Sequence, residues 1–231
     1  MEIVILTGAG ISAESGLATF RDAGGLWEGH RPEEVATPEA FARDPDLVQR
    51  FYNARRRAAR AARPNAAHAA LAGLQRQLGA RMLLVTQNVD GLHEAAGHGE
   101  VVHMHRSLDR ATCAECGEAW AAPLVMEVED PCPACGARAT RPDIVWFGEM
   151  PKAMDRIYEA LSTAAIFAAI GTSGQVYPAA GFADIAAGRG AQTWELTLVP
   201  SGNPVFDEEW PGKATETVPA WCAEMAARFG V

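Results

Sequence analysis

Four cysteines constrain this chain more than any other feature. Cys113 and Cys116 are two residues apart, fifteen residues follow, and Cys132 and Cys135 repeat the spacing. Each pair is a tight turn offering two thiolates about 3.5 to 4 Å apart, and two such turns complete the tetrahedral shell Zn²⁺ prefers. The competing reading is a pair of disulfides. The sequence opens at Met1 directly on an apolar run, without a charged leader or cleavage site, so a reducing, cytoplasmic setting and one bound metal ion are expected. A closed four-cysteine shell has no open position for water or substrate, so the expected zinc is structural.

Composition narrows the function classes. The 231 residues, 48% of them hydrophobic, suffice for one sizeable core plus a small appended module. Twenty Lys and Arg against twenty-nine Asp and Glu leave a net charge of −9, which denies a nucleic-acid-binding zinc ribbon its usual electrostatic footprint. No apolar run reaches the roughly 18 residues a membrane span needs.

Outside the cysteines the pattern alternates. The β-branched run Ile3–Thr7 feeds into Gly8-Ala9-Gly10-Ile11-Ser12-Ala13, which reads as strand, glycine turn and helix. Gly8 suits a tight turn, Gly10 a close approach of backbone to a phosphate, and small Ala13 close helix–strand packing, with a pyrophosphate on free N–H groups. The glycine-rich stretch from Gly16 to Trp27 reads as a loop over a ligand. A helix is expected from Pro45 to Arg63, carrying Leu47, Phe51 and Tyr52 on one face and six arginines around the rest, and another from Ala66 to Leu78. Strands are expected at Met82–Thr86, Val101–His105, Ile144–Phe147, Ala165–Ile170 and Thr193–Leu198, with helices at Met154–Ser162, near Ala179–Ala187 and at Pro219–Phe229. This predicts an α/β fold with a doubly wound, mostly parallel Rossmann-like sheet. Residues 1–35, 65–106 and 141–231 would form it; a helical insertion (36–64) and the zinc ribbon (107–140) would make the small domain.

Strand carboxyl ends are where such sheets bind ligands. They deliver Gln87-Asn88-Val89-Asp90, His103 and His105, and Gly171-Thr172-Ser173 to one edge. Gly8-Ala-Gly-Ile-Ser12, Thr19-Phe20-Arg21, Gln87-Asn-Val-Asp90, a histidine ahead of a four-cysteine ribbon, and Gly171-Thr-Ser173, in that order along nearly the whole chain, resemble the sirtuins. The resemblance implies an NAD-dependent protein-lysine deacylase acting on acyl-lysine proteins or peptides and yielding nicotinamide and O-acyl-ADP-ribose. It further implies that Gly8, Ala9, Gly10, Ser12, Gln87, Gly171, Thr172 and Ser173 contact NAD. Asn88 and Asp90 would position ribose and nicotinamide amide, and Phe20, Arg21 and Trp27 would close over the cofactor. His105 would be the general base, its ordinary pKa near 6.5 suiting the task, with His103 as its rival. His30, His68, His93 and His98 read as surface or helix histidines.

Tyr52 and Arg55, one helical turn apart, resemble the pair with which some sirtuins grip succinyl- or malonyl-lysine, and a guanidinium does bind a carboxylate bidentately. The acyl-lysine peptide would lie extended between Trp146-Phe147-Gly148-Glu149 and Gly174-Gln-Val176-Tyr177, with Val145, Trp146 and Phe147 walling the acyl tunnel. Two positions depart from the sirtuin pattern. Arg106 stands where glycine usually follows the base, and a long side chain there would disturb the base. Thr197 replaces an asparagine expected near the adenosine ribose, while Ala214 fits the small residue beside adenine. Mono-ADP-ribosylation, and NAD or ADP-ribose binding without turnover, are the alternative readings. Cys222 reads as a packing residue.

Overall fold

A computed structural model describes residues 1–19 and 29–231. Its strands are β1 (Ile3–Thr7), β2 (Met82–Thr86), β3 (Val101–His103), β4 (Arg106–Cys113), β5 (Ala119–Ala121), β6 (Thr140–Ile144), β7 (Ile166–Ile170), β8 (Gln192–Thr197) and β9 (Glu208–Pro211). Six form one sheet in the order β3-β2-β1-β7-β8-β9, every neighbouring pair parallel. The remaining three form a small antiparallel sheet, β5-β4-β6.

The central strands are buried along their whole length, as parallel strands covered on both faces must be. Their period of two divides the apolar side chains between two cores. Ile3, Ile5 and Leu84 face the helices Ala66–Leu78 and Ala214–Phe229. Val4, Leu6, Leu83 and Phe167 face the helices Met154–Thr163 and Phe182–Ala187. Caps explain where helices begin: the Asn65 side chain accepts from the amides of Ala67 and His68, and Asp44 accepts from Leu47 ahead of Pro45.

Several expectations need correction. Val145–Phe147 is not a strand; β6 ends at Ile144 and belongs to the small sheet. Trp146 is buried instead by side-chain packing, with the Arg141 guanidinium 3.5 Å from its ring centroid and Tyr52 and Phe41 beside it. The closing helix starts at Ala214, with Pro219 inside it. The turn after β1 leads to a single helical turn, Gly10–Ala13, on which Ala13 is exposed rather than packed on the strand. No helix among the described residues is long and apolar enough to cross a membrane.

A third core joins the helix Pro45–Ala61 to the small sheet and its neighbours through Val48, Phe51, Tyr52, Leu108, Ile144 and Trp146. Beside it lies Arg56, one of the six arginines and wholly buried. Its Nε donates to the Leu108 carbonyl at 2.7 Å and its Nη1 to Asn53 Oδ1 at 2.8 Å, while Asn53 itself pairs with both the N–H and the carbonyl of Met126. Burial, with help from the Arg60 charge, pulls its pKa down to about 10. Truncating it leaves a buried carbonyl without its donor and a void beneath the helix, so Arg56→Ala is expected to cost about 3 kcal/mol, read as a lower midpoint in denaturant unfolding, whereas Arg57→Ala on the exposed face is expected to cost little.

Candidate active site at the carboxyl edge of the sheet

The glycine turn is built by backbone contact. Gly8 N–H donates to the Ile170 carbonyl and Gly10 N–H to the Gly171 carbonyl, at 3.0 and 2.8 Å. A Cβ on Gly8 would come within 2.8 Å of the Gly171 oxygen, and one on Gly10 within 2.8 Å of Gly171 Cα. Gly171 sits at φ 60°, and its own Cβ would meet the Ile11 nitrogen at 2.5 Å. These glycines are therefore required by the crossing of two chain segments, and the amides of Gly8 and Gly10 are committed to it rather than free for a phosphate.

A buried polar network fills the floor of the edge. Asn88 Nδ2 donates to the Gly8 carbonyl at 3.1 Å and to Ser12 Oγ at 3.2 Å; Ser12 in turn donates to Asp90 Oδ2 at 3.1 Å. The Leu92 amide holds the other Asp90 oxygen at 3.0 Å. Burial raises the Asp90 pKa, against the Leu92 and Ser12 hydrogen bonds. Gln87 Nε2 donates to Thr172 Oγ1 at 2.9 Å, joining the ends of β2 and β7. Ala9 and Ser173 flank this network, half-buried. Phe20, Arg21 and Trp27 lie outside the described residues.

The histidines correct a sequence expectation. His68 and His93 lie on helices, as expected, but they and His98 are buried rather than at the surface. His68 meets Asn65 Oδ1 at 3.0 Å and lies 3.5 Å from Ser12 Oγ, and His93 meets Thr7 Oγ1 at 3.1 Å. Burial pulls His68 down to about 4 and His93 well below the ordinary imidazole range, so both are neutral. The spacing of the helix Ala66–Leu78 was the available signal: His68 shares its inward face with Leu71 and Ala72.

His105 leaves β3 and turns toward Gln87. Its Nδ1 lies 3.0 Å from the Gln87 carbonyl, an acceptor only, so Nδ1 carries the proton and the lone pair is on Nε2. Burial lowers its pKa, partly countered by that carbonyl. Arg106 does not displace it. The arginine adopts φ 64°, the backbone region glycine would favour, and its Nη1 pairs at 3.1 Å with the buried carboxylate of Asp143. A left-handed non-glycine residue costs about 1 to 2 kcal/mol, and the ion pair and ladder contact with Ile144 hold it there. Thr197 is buried and its hydroxyl donates to the Val199 carbonyl at 2.6 Å, so its proton is committed within the chain. Ala214 is buried at the first position of the closing helix.

The four cysteine sulfurs lie within 4.8 Å of one another. Cys113 and Cys135 are 3.8 Å apart, and Cys116 and Cys132 3.7 Å. A tetrahedral ion with 2.3 Å zinc–sulfur bonds places its sulfurs about 3.8 Å apart, so the set fits one Zn²⁺. No disulfide is formed. The remaining cysteine, Cys222, is buried, and burial pushes its thiol up to about 12, as a packing residue requires.

A parallel dinucleotide-type sheet with a buried polar network at its switch point and a four-cysteine metal module defines a class of NAD-binding folds carrying a zinc ribbon. Comparison narrows it further. The model of the Sir2 family matches residues 8–178. The NAD-dependent protein deacylase of Escherichia coli (strain K12) is 56% identical over 230 residues, covering 96% of this chain and 81% of that protein. The NAD-dependent protein deacylase of Caulobacter vibrioides is 52% identical over 234 residues, covering 99% and 98%. A solved point mutant of a Sir2 homologue in complex with ADP-ribose superposes with a TM-score of 0.91 at 38% identity, covering 100% of this chain and 94% of that one. The chain belongs to the Sir2 family. Elemental analysis is expected to find one zinc per chain; stripping it should unfold the small sheet, seen as a loss of circular dichroism and of Trp120 packing, because for such a site metal binding is folding energy.

Proposed function

We propose that the chain is an NAD-dependent protein-lysine deacylase that transfers the acyl group of a modified lysine to ADP-ribose. The observation that carries this reading is the His105 tautomer: the Gln87 carbonyl fixes the proton on Nδ1 and points an unprotonated Nε2 away from that carbonyl. The polar set beside it, Gln87, Asn88, Asp90, Ser12 and Thr172, has the donors and acceptors that a ribose and a carboxamide need. Bound NAD supplies an electrophilic ribose carbon and a leaving nicotinamide. The chain orients that ribose through Asn88 and Asp90, keeps the floor dry, and takes a proton from a ribose hydroxyl onto His105 Nε2. Phe20, Arg21 and Trp27 complete the expected cofactor contacts.

The acylated peptide would lie between Val145–Glu149 and Gly174–Tyr177. Support comes from the exposed apolar side chains flanking that space: Phe147 at 44%, Met150 at 74% and Tyr177 at 79% exposure, the kind of uncovered patch that marks a binding groove. Glu149 braces one wall by a bidentate pair with Arg141 and by accepting the Trp146 amide. Gly148 turns at φ 90°, and Val176 is half-buried on the opposite wall.

Acidic acyl groups are the second part of the proposal. Trp146 Nε1 donates to Tyr52 Oη at 3.0 Å, which leaves the phenol O–H to donate to a carboxylate. Burial raises the Tyr52 pKa to about 12, against the charge of Arg55 and the Trp146 hydrogen bond, so the phenol keeps that proton. Arg55 is half-buried one turn on, its guanidinium carbon 5.7 Å from the Phe51 ring centroid. A reducing setting such as the cytoplasm keeps the four thiols available to metal.

Two outcomes test this. With acetyl- and succinyl-lysine peptides, NAD consumption should release nicotinamide and O-acyl-ADP-ribose. kcat/KM should fall as pH drops through the lowered His105 pKa, since the base works only unprotonated, and His105→Gln should cost a hundredfold or more, about the lower bound for losing a general base; label from NAD on protein without deacylation would instead support ADP-ribosyl transfer. Arg55→Met should lower desuccinylation by about 10- to 100-fold, the worth of a charge-assisted hydrogen bond, while deacetylation changes little; equal losses on both peptides would exclude the acyl-carboxylate role.

A further inference from the structure

β3 lies beside β2, with His103 opposite Thr86. Past that point the ladder does not stop. Three consecutive carbonyls of the departing chain are satisfied in turn by the neighbouring segment: Thr86 by the Met104 amide at 3.1 Å, Gln87 by His105 Nδ1 at 3.0 Å, and Asn88 by His103 Nδ1 at 3.2 Å. Two imidazoles thus take over where backbone amides run out. Among the described residues His105 Nε2 has no hydrogen-bond partner, but the Nε2 of His103 is closed by Glu94 Oε1 at 2.6 Å. Glu94 lies in the short helical turn Leu92–Ala95, immediately after the loop that carries Asn88 and Asp90. His103 therefore grips that loop at both ends, through the Asn88 carbonyl before it and the Glu94 carboxylate after it.

We infer that His103 is a positioning residue of the reaction, its imidazole holding the Asn88–Asp90 loop in register with Ser12 and His105 through the Asn88 carbonyl and Glu94. This rests on the deacylase reading for its kinetic consequence, though not for its geometry. A carbonyl and a carboxylate are both acceptors, so the grip requires a proton on each ring nitrogen or a proton shared with Glu94. Removing one proton turns one of the two hydrogen bonds into a lone pair facing an acceptor.

The surroundings favour the protonated form. Burial acts to lower the His103 pKa, but the hydrogen bond and charge of Glu94, the Asn88 carbonyl and the Asp90 carboxylate outweigh it, and the net direction is upward. Burial acts to raise Glu94, and His103 with a contribution from His98 overcomes it, so Glu94 is lowered. The neighbouring imidazoles of His93 and His98 are themselves pulled down by burial. Two histidines two residues apart are thus driven in opposite directions, His105 toward the neutral base and His103 toward the cation. For a group raised in the folded state, the contribution is complete at low pH and is lost as pH rises through the raised value. His105 sets an acid limb and His103 an alkaline one.

The experiment compares the full chain with His103→Gln, which keeps a donor for the Asn88 carbonyl but cannot titrate, and with Glu94→Gln. kcat and KM for NAD are followed across the pH range, alongside ADP-ribose affinity by calorimetry. In the wild type, kcat/KM for NAD and ADP-ribose affinity should both decline above the ordinary imidazole range. His103→Gln should raise KM for NAD by up to about tenfold, keep the acid limb and abolish the alkaline one; Glu94→Gln should move the alkaline limb to lower pH. A His103→Gln protein with wild-type KM and an unchanged alkaline limb, or one altered only in melting temperature, overturns the inference. Should the wild type show no deacylation, the enzymatic reading falls by itself. The imidazole nitrogen resonances of wild-type His103 then decide: titration above the ordinary imidazole value, tracking ADP-ribose affinity, supports the assignment, and titration below it refutes it.

Discussion

Everything at the ligand edge depends on one close crossing of backbone. β1 and β7 are neighbours at the middle of the parallel sheet, and the segments leaving them touch through Gly8, Gly10 and Gly171 at distances no Cβ could share. The crossing fixes the height of the floor: Asn88 reaches the Gly8 carbonyl, and Ser12, one short turn beyond, receives Asn88 and donates to Asp90. A methyl group at any of the three glycines would push these segments apart by the better part of an ångström and carry the polar floor with them. The glycines are motif residues because of packing first, and ligand approach second.

On that floor, burial sorts the histidines by what each can find to bond. His68 and His93 lie deep, meet hydroxyl and amide groups, and stay neutral. His105 finds one carbonyl and keeps a lone pair; His103 finds a carbonyl and a carboxylate and is held as a donor at both nitrogens. The same side chain thus plays three roles along one edge of the sheet, set by its partners.

Much of this was legible in the sequence, for identifiable reasons. The central strands are buried on both faces, so they appear as unbroken apolar runs, and the helices Ala66–Leu78 and Met154–Thr163 fall almost where the periodicity puts them. β9 was invisible because Glu208–Pro211 is an edge strand with three exposed residues, and Trp210 alone packs inward, against Trp194. Val145–Phe147 looked like a strand because it is apolar, yet Trp146 is buried by a guanidinium and a phenol rather than by a ladder. The burial of these histidines was missed because polarity alone suggests the surface; the helical spacing of His68 was legible, whereas the partner of His93, Thr7, is 86 positions away. Arg106 looked disruptive because a pattern of residue types does not reveal Asp143, 37 positions away, which closes on its guanidinium.

Arg56 shows how the zinc module acts on chemistry it never touches. The guanidinium is fully buried and, among the described residues, makes no salt bridge; carbonyl and amide dipoles of Leu108 and Asn53, and the sulfur of Met126 at 3.2 Å, solvate it. An ion solvated by dipoles needs those dipoles fixed, since the desolvation cost returns as soon as they drift. Leu108 lies on β4, whose far end is Cys113, and Met126 lies on the segment between the two cysteine pairs. Metal binding that locks the four sulfurs therefore also locks the groups that hold Arg56. Arg56 in turn holds the helix carrying Tyr52 one turn away. Loss of the ion would release the small sheet first and the Tyr52–Trp146 contact next, which makes the metal a support for the proposed acyl-binding wall even though its own coordination shell is closed to substrate.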